Sequence, residues 1–399
     1  MGPSFNEQFD QHGVWRREFA HQIHRLSEWM SDHELMDAAV QERLNRLEAQ
    51  VRSDKVMVAF VAEFSRGKSE LINAIFFADY GRRIMPASAG RTTMCPTELG
   101  YDASLAPSLR LLPIETRLQL QGLAEWRVKP ERWIEIPLDV NNADQIAKAL
   151  EKVAEVRKVT LDNARALGFW HDELADENPV PDSEGLVEVP MWRHAIINIP
   201  HPLLKQGLVI LDTPGLNAVG AEPELTVNLI PQAHAVVFIL SADTGVTRSD
   251  LSIWREHLAT SVDSLDARLV VLNKIDTLWD TLNSPDEILA QMNRQCMTSA
   301  DMLGVPLQQV VPVSAQKGLV AKITCDDLLL ESSGLPVLEE ALAKGIMGRR
   351  QAILRAAVAT GVGSLRAETT RVINIRRRDL DDQMAELRKK KKKNASVIE

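Results

Sequence analysis

Five short motifs contain residue types that could together bind a phosphorylated nucleotide. Each is too short to be informative alone, but each supplies a different part of one pocket. In chain order they are Ala62-Glu-Phe-Ser-Arg-Gly-Lys-Ser69, Thr92-Thr93, Asp212-Thr-Pro-Gly215, Asn273-Lys-Ile-Asp276 and Ser314-Ala315. Their order therefore predicts a site for a nucleoside triphosphate and Mg²⁺.

The first motif has the composition of a phosphate-binding loop. Backbone N–H groups of such a loop, reinforced by a helix N-terminus, cradle the phosphates. Lys68 is predicted to reach the β- and γ-phosphates, and the Ser69 hydroxyl to bind Mg²⁺. Ala62 replaces the first glycine of the usual pattern. An alanine fits this position only if its φ is negative. The predicted phosphate-binding residues are Glu63, Phe64, Ser65, Arg66, Gly67, Lys68 and Ser69, together with Gly215.

The third motif follows an apolar run at residues 207–212. Its Asp212 carboxylate is predicted to hold magnesium through water. Pro214 and Gly215 let the backbone turn, so that the Gly215 amide faces the γ-phosphate. Such a segment is a switch, because it is ordered by that phosphate and released when the phosphate leaves.

The fourth motif predicts which base is bound. A fixed carboxylate accepts hydrogen bonds, and guanine offers two donors, N1–H and the 2-amino group, to Asp276. Adenine would leave Asp276 unpaired, and a site built this way rejects such an analogue by roughly 10⁴-fold or more. We expect Asn273 and Lys274 to complete the motif, and Ser314-Ala315 to back the base with main-chain amides. GTP is therefore predicted, rather than ATP.

The elements that must position these motifs are visible as apolar runs. Residues 55–62, 207–212 and 268–273 are apolar runs predicted to form strands, and each precedes a motif, as does the apolar run at 310–313. Residues 69–77 have a helical apolar repeat. Ligands bind at the carboxyl ends of strands in open α/β sheets. The predicted fold class is α/β, with a mostly parallel central sheet flanked by helices.

Catalysis requires an oriented water, and the usual glutamine for this task is absent. Leu216 occupies its position after the Asp-x-x-Gly motif. Ser65 and Arg66 are local candidates, because a correctly placed arginine contributes roughly 10³–10⁵ in rate. The alternatives are a solvated or dimer-contact side chain for Arg66 and a turn former for Ser65.

These residues resemble the GTPase domain of bacterial dynamin-like proteins. The resemblance rests on four segments: residues 62–74, 91–99, 211–216 and 273–276. The spacing of Thr93 to Pro96 singles out this group among GTPases. The motifs cover residues 55–318, and the resemblance extends more loosely to the flanking helices.

The resemblance implies a fold and an activity. It implies a GTPase that binds GTP and GDP with Mg²⁺, in which Thr93 is the switch threonine that meets the metal and the γ-phosphate, with Thr92 as the runner-up. It also implies activation by a homodimer formed across the nucleotide, and helices that move with the nucleotide state. Phe64 replaces a glutamine of eukaryotic dynamins, so that residue's catalytic role is not transferred.

The chain ends are predicted to form helices that pack together as a neck. Apolar residues recur at helical spacing in residues 19–30, 40–51, 354–365 and 380–387. The predicted domains are therefore neck helices at 1–54, a GTPase domain at 55–345, and a second neck segment and the start of a stalk at 346–399. There is no room for a full stalk, so we expect a chain that has been cut short.

The segment between the first switch and Asp212 is long. Strands are predicted within 99–113, at 133–137 and at 192–200, the last pairing with 207–212. Residues 143–167 have a helical pattern. The acidic, proline-rich stretch at 170–190 is predicted to be a loop.

Composition limits the partners and the compartment. Three scattered cysteines favour a reducing cytoplasm, and no apolar run is long enough to span a membrane. The formal net charge of −9 excludes a surface that binds polyanions throughout. Basic clusters at 376–378 and 388–393 could attract anionic lipid or nucleic-acid phosphates, or could form a solvated helix face.

Three functional hypotheses follow from these patterns. The first is a mechanochemical GTPase that remodels membrane and contacts its inner face peripherally. The second is a GTP-switched scaffold that acts on chromosome or replication machinery. The third, an RNA-associated GTPase, is disfavoured because no RNA-binding module follows the predicted GTPase domain.

Overall fold

The computed structural model comprises two compact units. It describes residues 19, 21–33, 35–52, 55–86, 95–119, 121–170, 172, 178–213, 230, 233–258, 268–279, 284–343 and 350–398. The larger unit spans residues 55–350, and the smaller one combines residues 1–54 with 351–399.

A nine-stranded sheet forms the centre of the larger unit, as far as that unit is described. Its strand order is β11-β10-β9-β1-β8-β2-β7-β3-β4, and five of its eight strand pairs are parallel. The strands are β1 Val56–Ala62, β2 Thr97–Gly100, β3 Ser108–Pro113, β4 Ile134–Pro137, β7 Trp192–Asn198, β8 Leu208–Asp212, β9 Ala235–Ser241, β10 Arg268–Asn273 and β11 Val310–Pro312. The α/β class with a mostly parallel sheet is thus confirmed.

The apolar runs at the centre of the sheet form strands that are covered on both faces. Every residue of β8 and β9 is buried, as expected for parallel strands with helices on either side. The helices of this unit are α3 Lys68–Ile72, α4 Leu123–Arg127, α5 Ala143–Glu151, α6 Leu161–Ala166, α7 Pro202–Lys205, α8 Arg248–Ile253, α9 Pro285–Leu303, α10 Ala315–Thr324, α11 Asp327–Ser332 and α12 Leu335–Glu340. A π-helical turn at Asn73–Phe77 continues α3.

The predicted pairing of 192–200 with 207–212 is wrong, because β2 lies between β7 and β8. Glu98, a buried carboxylate in the middle of β2, interrupts the apolar pattern that would have predicted this strand. Glu98 accepts a hydrogen bond from Arg127 and lies 3.0 Å from His194 Nε2. Burial alone raises the pKa of Glu98, but Arg127 and His194 outweigh it and lower the pKa to about 2.

The predicted helix at 143–167 and the loop at 170–190 are also corrected. The helix ends after Glu151, the backbone becomes extended at Glu155, and β5 Val156–Thr160 pairs with β6 Leu186–Pro190. Val159 faces Val187 in this pairing, within a separate apolar cluster. The contact joins residues far apart in sequence, so a local pattern does not reveal it.

The smaller unit is helical. It contains a helix over residues 21–32, here α1, followed by α2 Ala38–Arg52 and α13 Arg350–Ile398. One apolar cluster joins the predicted stripes of all three helices: Phe19, Ile23, Leu26, Met30, Leu35, Met36, Val40, Leu44, Leu47, Val358, Val362 and Leu365.

The second apolar stripe of α13 does not join this cluster. Leu380, Met384 and Leu387 are exposed, which corrects the expectation that they pack in the same bundle. Within the part of the chain that the structure describes, no helix combines the length and the apolar composition needed to cross a bilayer.

We predict that His234 makes the larger unit sensitive to acid. Its Nδ1 accepts a hydrogen bond from Met57 N at 3.0 Å, and burial lowers its pKa from 6.5 to about 4. As pH falls from 6.5 to 4 the unfolded chain binds this proton first, so stability decreases by about 3 kcal/mol. His234→Asn keeps an acceptor for Met57 and removes the titration.

Denaturant unfolding at several pH values measures this effect. The difference in unfolding free energy between His234→Asn and the natural chain should change across pH 6.5–4. His201 also has a pKa lowered to about 4, chiefly by burial, and is present in both proteins. A difference that is constant over this range contradicts the assignment.

Candidate functional site

The phosphate-loop motif forms a tight connection between β1 and α3. Ala62 ends β1, and the described non-glycine residues with positive φ are Ser65, Lys274 and Cys325. Ala62 therefore has the negative φ that replacement of the first glycine requires. Ser65 and Gly67 adopt left-handed conformations, with φ of 64° and 84°, and α3 begins at Lys68.

Lys68 and Asp212 meet where β1 and β8 end. The Lys68 ammonium donates to Asp212 Oδ1 and to the backbone carbonyl of Thr213. Both charged side chains are buried, and Asp212 is 1% exposed. Thr213 is held in turn by a 3.0 Å hydrogen bond from its hydroxyl to Phe60 O. The two predicted phosphate-site residues from distant motifs are thus brought together.

The donor set at this point fits Mg²⁺. Asp212 Oδ2 is buried and has no hydrogen-bond partner among the described residues. A buried carboxylate oxygen is costly unless it is paired or binds a metal. Ser69 lies in the first turn of α3, one residue after Lys68. Carboxylate and hydroxyl oxygens are hard ligands of the kind that Mg²⁺ requires.

The predicted base-reading motif is joined to the phosphate loop by Asn273. This residue ends β10, and its Nδ2 donates to the Arg66 carbonyl at 2.8 Å. Its Oδ1 accepts from the Ala315 amide at 3.0 Å. Three motifs that are far apart in sequence are therefore connected through one buried amide.

Asp276 and Ser314 also lie together. The Ser314 hydroxyl donates to Asp276 Oδ1 at 2.6 Å and accepts from Lys317 N as the N-cap of α10. The Ala315 amide differs from expectation, because it donates to Asn273 rather than remaining available to a base. Residues 314–315 thus orient the carboxylate and the amide of the preceding motif.

Lys274 is positioned by a residue that the motifs did not include. Its backbone is left-handed, and its ammonium lies 3.4 Å from Asp243 Oδ2. Asp243 is fixed by the hydroxyl of Ser241, which donates to Oδ1 at 2.6 Å. Asp243 follows β9, at the same edge of the sheet as the other motif residues.

The guanidinium of Arg66 is bound to other side chains of the larger unit. Its side chain is 6% exposed and donates to Glu63, Thr244 and Asp250. To reach a phosphate, the guanidinium would have to leave two carboxylates in a buried setting. In this structure Arg66 therefore ties the loop to the start of α8 rather than lying solvated, and its assignment as a catalytic group stays a prediction.

Sequence reasoning missed the residues that bind Arg66. Thr247 and Asp250 form a capping box at the start of α8, in which each side chain accepts from the other's backbone N–H. The pattern Thr-x-x-Asp after a buried strand was a visible signal of a helix start. Its connection to the phosphate loop was not visible, because about 180 residues separate the two segments.

The switch residues fall outside the described part of the chain. These are Thr92, Thr93, Gly215 and Leu216. The structure describes the segment that precedes the first switch, and the side chain of Asn73 binds the backbone of that segment. The Asn73 side chain accepts from Ile84 N and Met85 N and donates to Met85 O, at 2.8–2.9 Å. The first switch is thus approached from a segment anchored on the phosphate-loop helix.

Two family models match the chain. The model described as the dynamin family matches residues 58–276, more than half of the 399 residues. The model of the elongation factor Tu GTP-binding domain matches residues 196–359. The first of these ranges includes Lys68, Asp212 and Asn273.

Individual relatives show the same similarity at low identity. A bacterial dynamin-like protein of Nostoc punctiforme is 23% identical over 229 residues, which are 57% of this chain and 26% of the relative. The transmembrane GTPase Marf of Drosophila melanogaster is 24% identical over 324 residues, 78% of this chain and 31% of the relative. The chain thus spans less than two thirds of the length of either relative.

A solved structure of one member of an oligomerised bacterial dynamin pair is also similar. It is 14% identical, with a TM-score of 0.46, over 97% of this chain and 52% of that chain.

We predict that Gly67→Ala disrupts the contact between the two ends of the site. A Cβ at residue 67 would lie 2.4 Å from Asn273 Nδ2, and the positive φ adds strain. The side chain of Asn273 must then leave the Arg66 carbonyl. Affinity for a fluorescent GTP analogue should fall about tenfold or more.

Gly304→Ala is the matched control for this substitution. Gly304 also has a positive φ, of 66°, but a Cβ added there would meet no atom within 4 Å. Its affinity should equal that of the natural chain. Equal affinities for all three proteins would contradict the importance of the Asn273 contact.

Proposed function

This chain is a GTPase of the dynamin family, and on that premise we propose how it holds and uses its nucleotide. GTP is its substrate and GDP its product. In the proposal the triphosphate lies on residues 63–69, beside Lys68 and Asp212. Guanine lies at the other end, against Asn273, Lys274 and Asp276.

The observation that carries this proposal is the hydrogen bond from Asn273 Nδ2 to the Arg66 carbonyl, at 2.8 Å. It places the end of β10 against the loop that follows β1. A nucleotide requires a phosphate-binding end and a base-binding end within one small molecule's length. The contact supports one continuous site rather than two separate ones.

At the base end, Asp276 is the selective residue in the proposal. Ser314 donates to its Oδ1 at 2.6 Å, which holds the carboxylate as an acceptor. Guanine supplies two donors to such a carboxylate, whereas adenine presents an acceptor at N1. The selectivity for GTP then follows from the cost of leaving the carboxylate unpaired.

At the phosphate end, Lys68 changes partners in the proposal. Its ammonium is held by Asp212 and Thr213 O, and a triphosphate offers a more strongly charged partner. Asp212 is then released towards a metal, for which Ser69 and Thr93 complete the proposed ligand set. Mg²⁺ held by these residues would neutralise negative charge on the phosphates.

Hydrolysis is completed by a second copy of the chain in this proposal. Phe64 is 49% exposed on the phosphate loop, and Ser65 beside it is also exposed. An exposed aromatic side chain at this point is suited to burial in a dimer formed across the nucleotide. Ser65 and Thr93 are the proposed groups of this chain that contact the reacting phosphate and water.

The proposed output is movement of the helical unit, coupled to peripheral contact with membrane. A relative is described as a transmembrane GTPase. The basic clusters at 376–378 and 388–393 lie on the long helix α13. Positive charge near an anionic bilayer contributes roughly 1 kcal/mol per residue. This combination favours a membrane surface over nucleic acid as the partner.

Nucleotide binding by two variants tests the assignment of the site. Lys68→Ala should lower GTP affinity about a hundredfold, because a charged hydrogen-bond donor to the phosphates is lost. Asp276→Asn should lower GTP affinity by a similar factor and improve binding of xanthosine triphosphate, whose base carries a carbonyl at position 2. Calorimetry with both nucleotides measures this, and unchanged affinity in Lys68→Ala rejects the site.

The dimerisation proposal predicts that specific activity rises with protein concentration. Phe64→Ser should reduce that rise severalfold, because apolar surface at the interface is lost. Leu118→Ser is the control, since Leu118 is exposed elsewhere on the same unit. GTP turnover measured from nanomolar to micromolar protein decides the point, and a flat profile counts against a dimer.

The membrane proposal predicts co-sedimentation with vesicles that contain phosphatidylserine, decreasing as salt is raised. Replacement of Lys389–Lys393 by glutamine should reduce the bound fraction severalfold, and phosphatidylcholine vesicles serve as the control. Duplex DNA is tested in parallel at the same ionic strength. Binding to DNA without binding to vesicles would favour the chromosomal scaffold instead.

A further inference from the structure

Arg66 is held from two directions. Its guanidinium donates to Asp250 Oδ2 at 3.0 Å and to the hydroxyl of Thr244. Its carbonyl accepts from Asn273 Nδ2 at 2.8 Å. A side-chain anchor and a main-chain anchor on one residue leave that peptide little freedom to rotate.

Asp250 is itself rigidly placed. It is 0% exposed, and its Oδ2 accepts from Thr247 N at 2.9 Å and from the Thr247 hydroxyl at 2.8 Å. The Asp250 amide donates back to that hydroxyl at 3.1 Å. Because the carboxylate belongs to the capping box of α8, it is fixed to a regular element rather than to a loop.

The backbone around Arg66 needs such an anchor. Ser65 and Gly67, on either side of it, both have positive φ, and serine adopts this conformation at an energetic cost. The conformation directs the amides of the loop to their positions, and binding of a triphosphate depends on those positions. A loop with strained residues persists only where its surroundings determine it.

We infer that Asp250 is a positioning residue for GTP binding, which holds the phosphate loop in its receptive conformation through the guanidinium of Arg66. The inference rests on the proposed placement of the triphosphate on residues 63–69. Asp250 does not touch nucleotide in this scheme. It acts only through its hydrogen bond to Arg66, and Thr244 supports the same guanidinium.

This scheme differs from direct catalysis by Arg66 in what the variants change. If Arg66 acted directly in catalysis, its loss would reduce the turnover of bound GTP, and loss of Asp250 would not. A positioned loop affects binding, and the loss of either partner has the same consequence. A buried carboxylate that loses its arginine partner is poorly solvated. Burial already raises the pKa of the Asp250 carboxyl.

The experiment compares Asp250→Asn, Arg66→Met and the double variant. Dissociation constants are measured by calorimetry with a non-hydrolysable GTP analogue, and kcat with saturating GTP. Each single variant should raise the dissociation constant about ten- to hundredfold. The double variant should be no weaker than the weaker single variant, and kcat should change less than about threefold.

A second capping box provides the matched control. Ser284 and Glu287 form the same arrangement at the start of α9. Glu287→Gln removes a capping carboxylate from the same unit and should leave the dissociation constant unchanged. Thermal unfolding of every variant without nucleotide separates a loss of affinity from a loss of folded protein.

If Asp250→Asn does not fold, Thr244→Val tests the inference instead. Thr244 is exposed, so its substitution removes one hydrogen bond from Arg66 without leaving a buried charge unpaired. It should raise the dissociation constant about threefold to tenfold. A Thr244→Val protein with natural affinity would overturn the inference.

Other outcomes would contradict either the inference or the proposed function. Additive losses in the double variant, or a large fall in kcat confined to Arg66→Met, refute positioning and restore direct catalysis. Loss of affinity in Lys68→Ala, with natural affinity in Asp250→Asn, refutes the inference and leaves the proposed function intact. Natural affinity in Lys68→Ala refutes the proposed function itself.

Discussion

One hydrogen bond, from the amide of Asn273 to the carbonyl of Arg66, links the two ends of the proposed nucleotide site. The strands that deliver these residues, β10 and β1, are separated by β9. Two strand spacings amount to about 10 Å, so neither strand reaches the other's end directly. The phosphate loop turns across the end of β9, and Asn273 meets it there. The distance between the proposed phosphate-binding and base-binding residues is therefore set by the order of strands in the sheet.

Several buried charges of the larger unit are paired with residues from distant segments. Lys68 meets Asp212, Arg66 meets Asp250, and on the far side of β8 the Glu98 carboxylate meets Arg127. Such pairs contribute little net stability, because desolvation offsets their attraction. Their effect is to specify one arrangement, since separating any pair leaves an uncompensated charge. The pair at Lys68 differs from the others in that the proposed function has a phosphate replace the carboxylate.

The segment between the first switch and β8 is organised by apolar contacts rather than by paired charges. Its strands β5 and β6 enclose a small apolar cluster of their own. Nothing in residues 143–167 taken alone distinguishes a continuous helix from a helix followed by a strand. Val159 adopts the extended form because Val187 and Val189 provide an apolar surface for it. In contrast, the stripes of α1, α2 and the first part of α13 have helical periodicity over several turns, and the structure packs these stripes together as predicted.

The sequence by itself determined the α/β class, the strands that precede four of the five motifs, and the identity of the GTPase family. Those features depend on local periodicity and on short motifs whose chemistry is contained in a few adjacent residues. Only the tertiary structure showed that β2 separates β7 from β8, that Ala315 serves Asn273, and that Arg66 is bound to Asp250. Each of these depends on a contact between distant segments. A buried charge or amide is satisfied by whichever residue the fold brings near it, and spacing along the chain does not identify that residue.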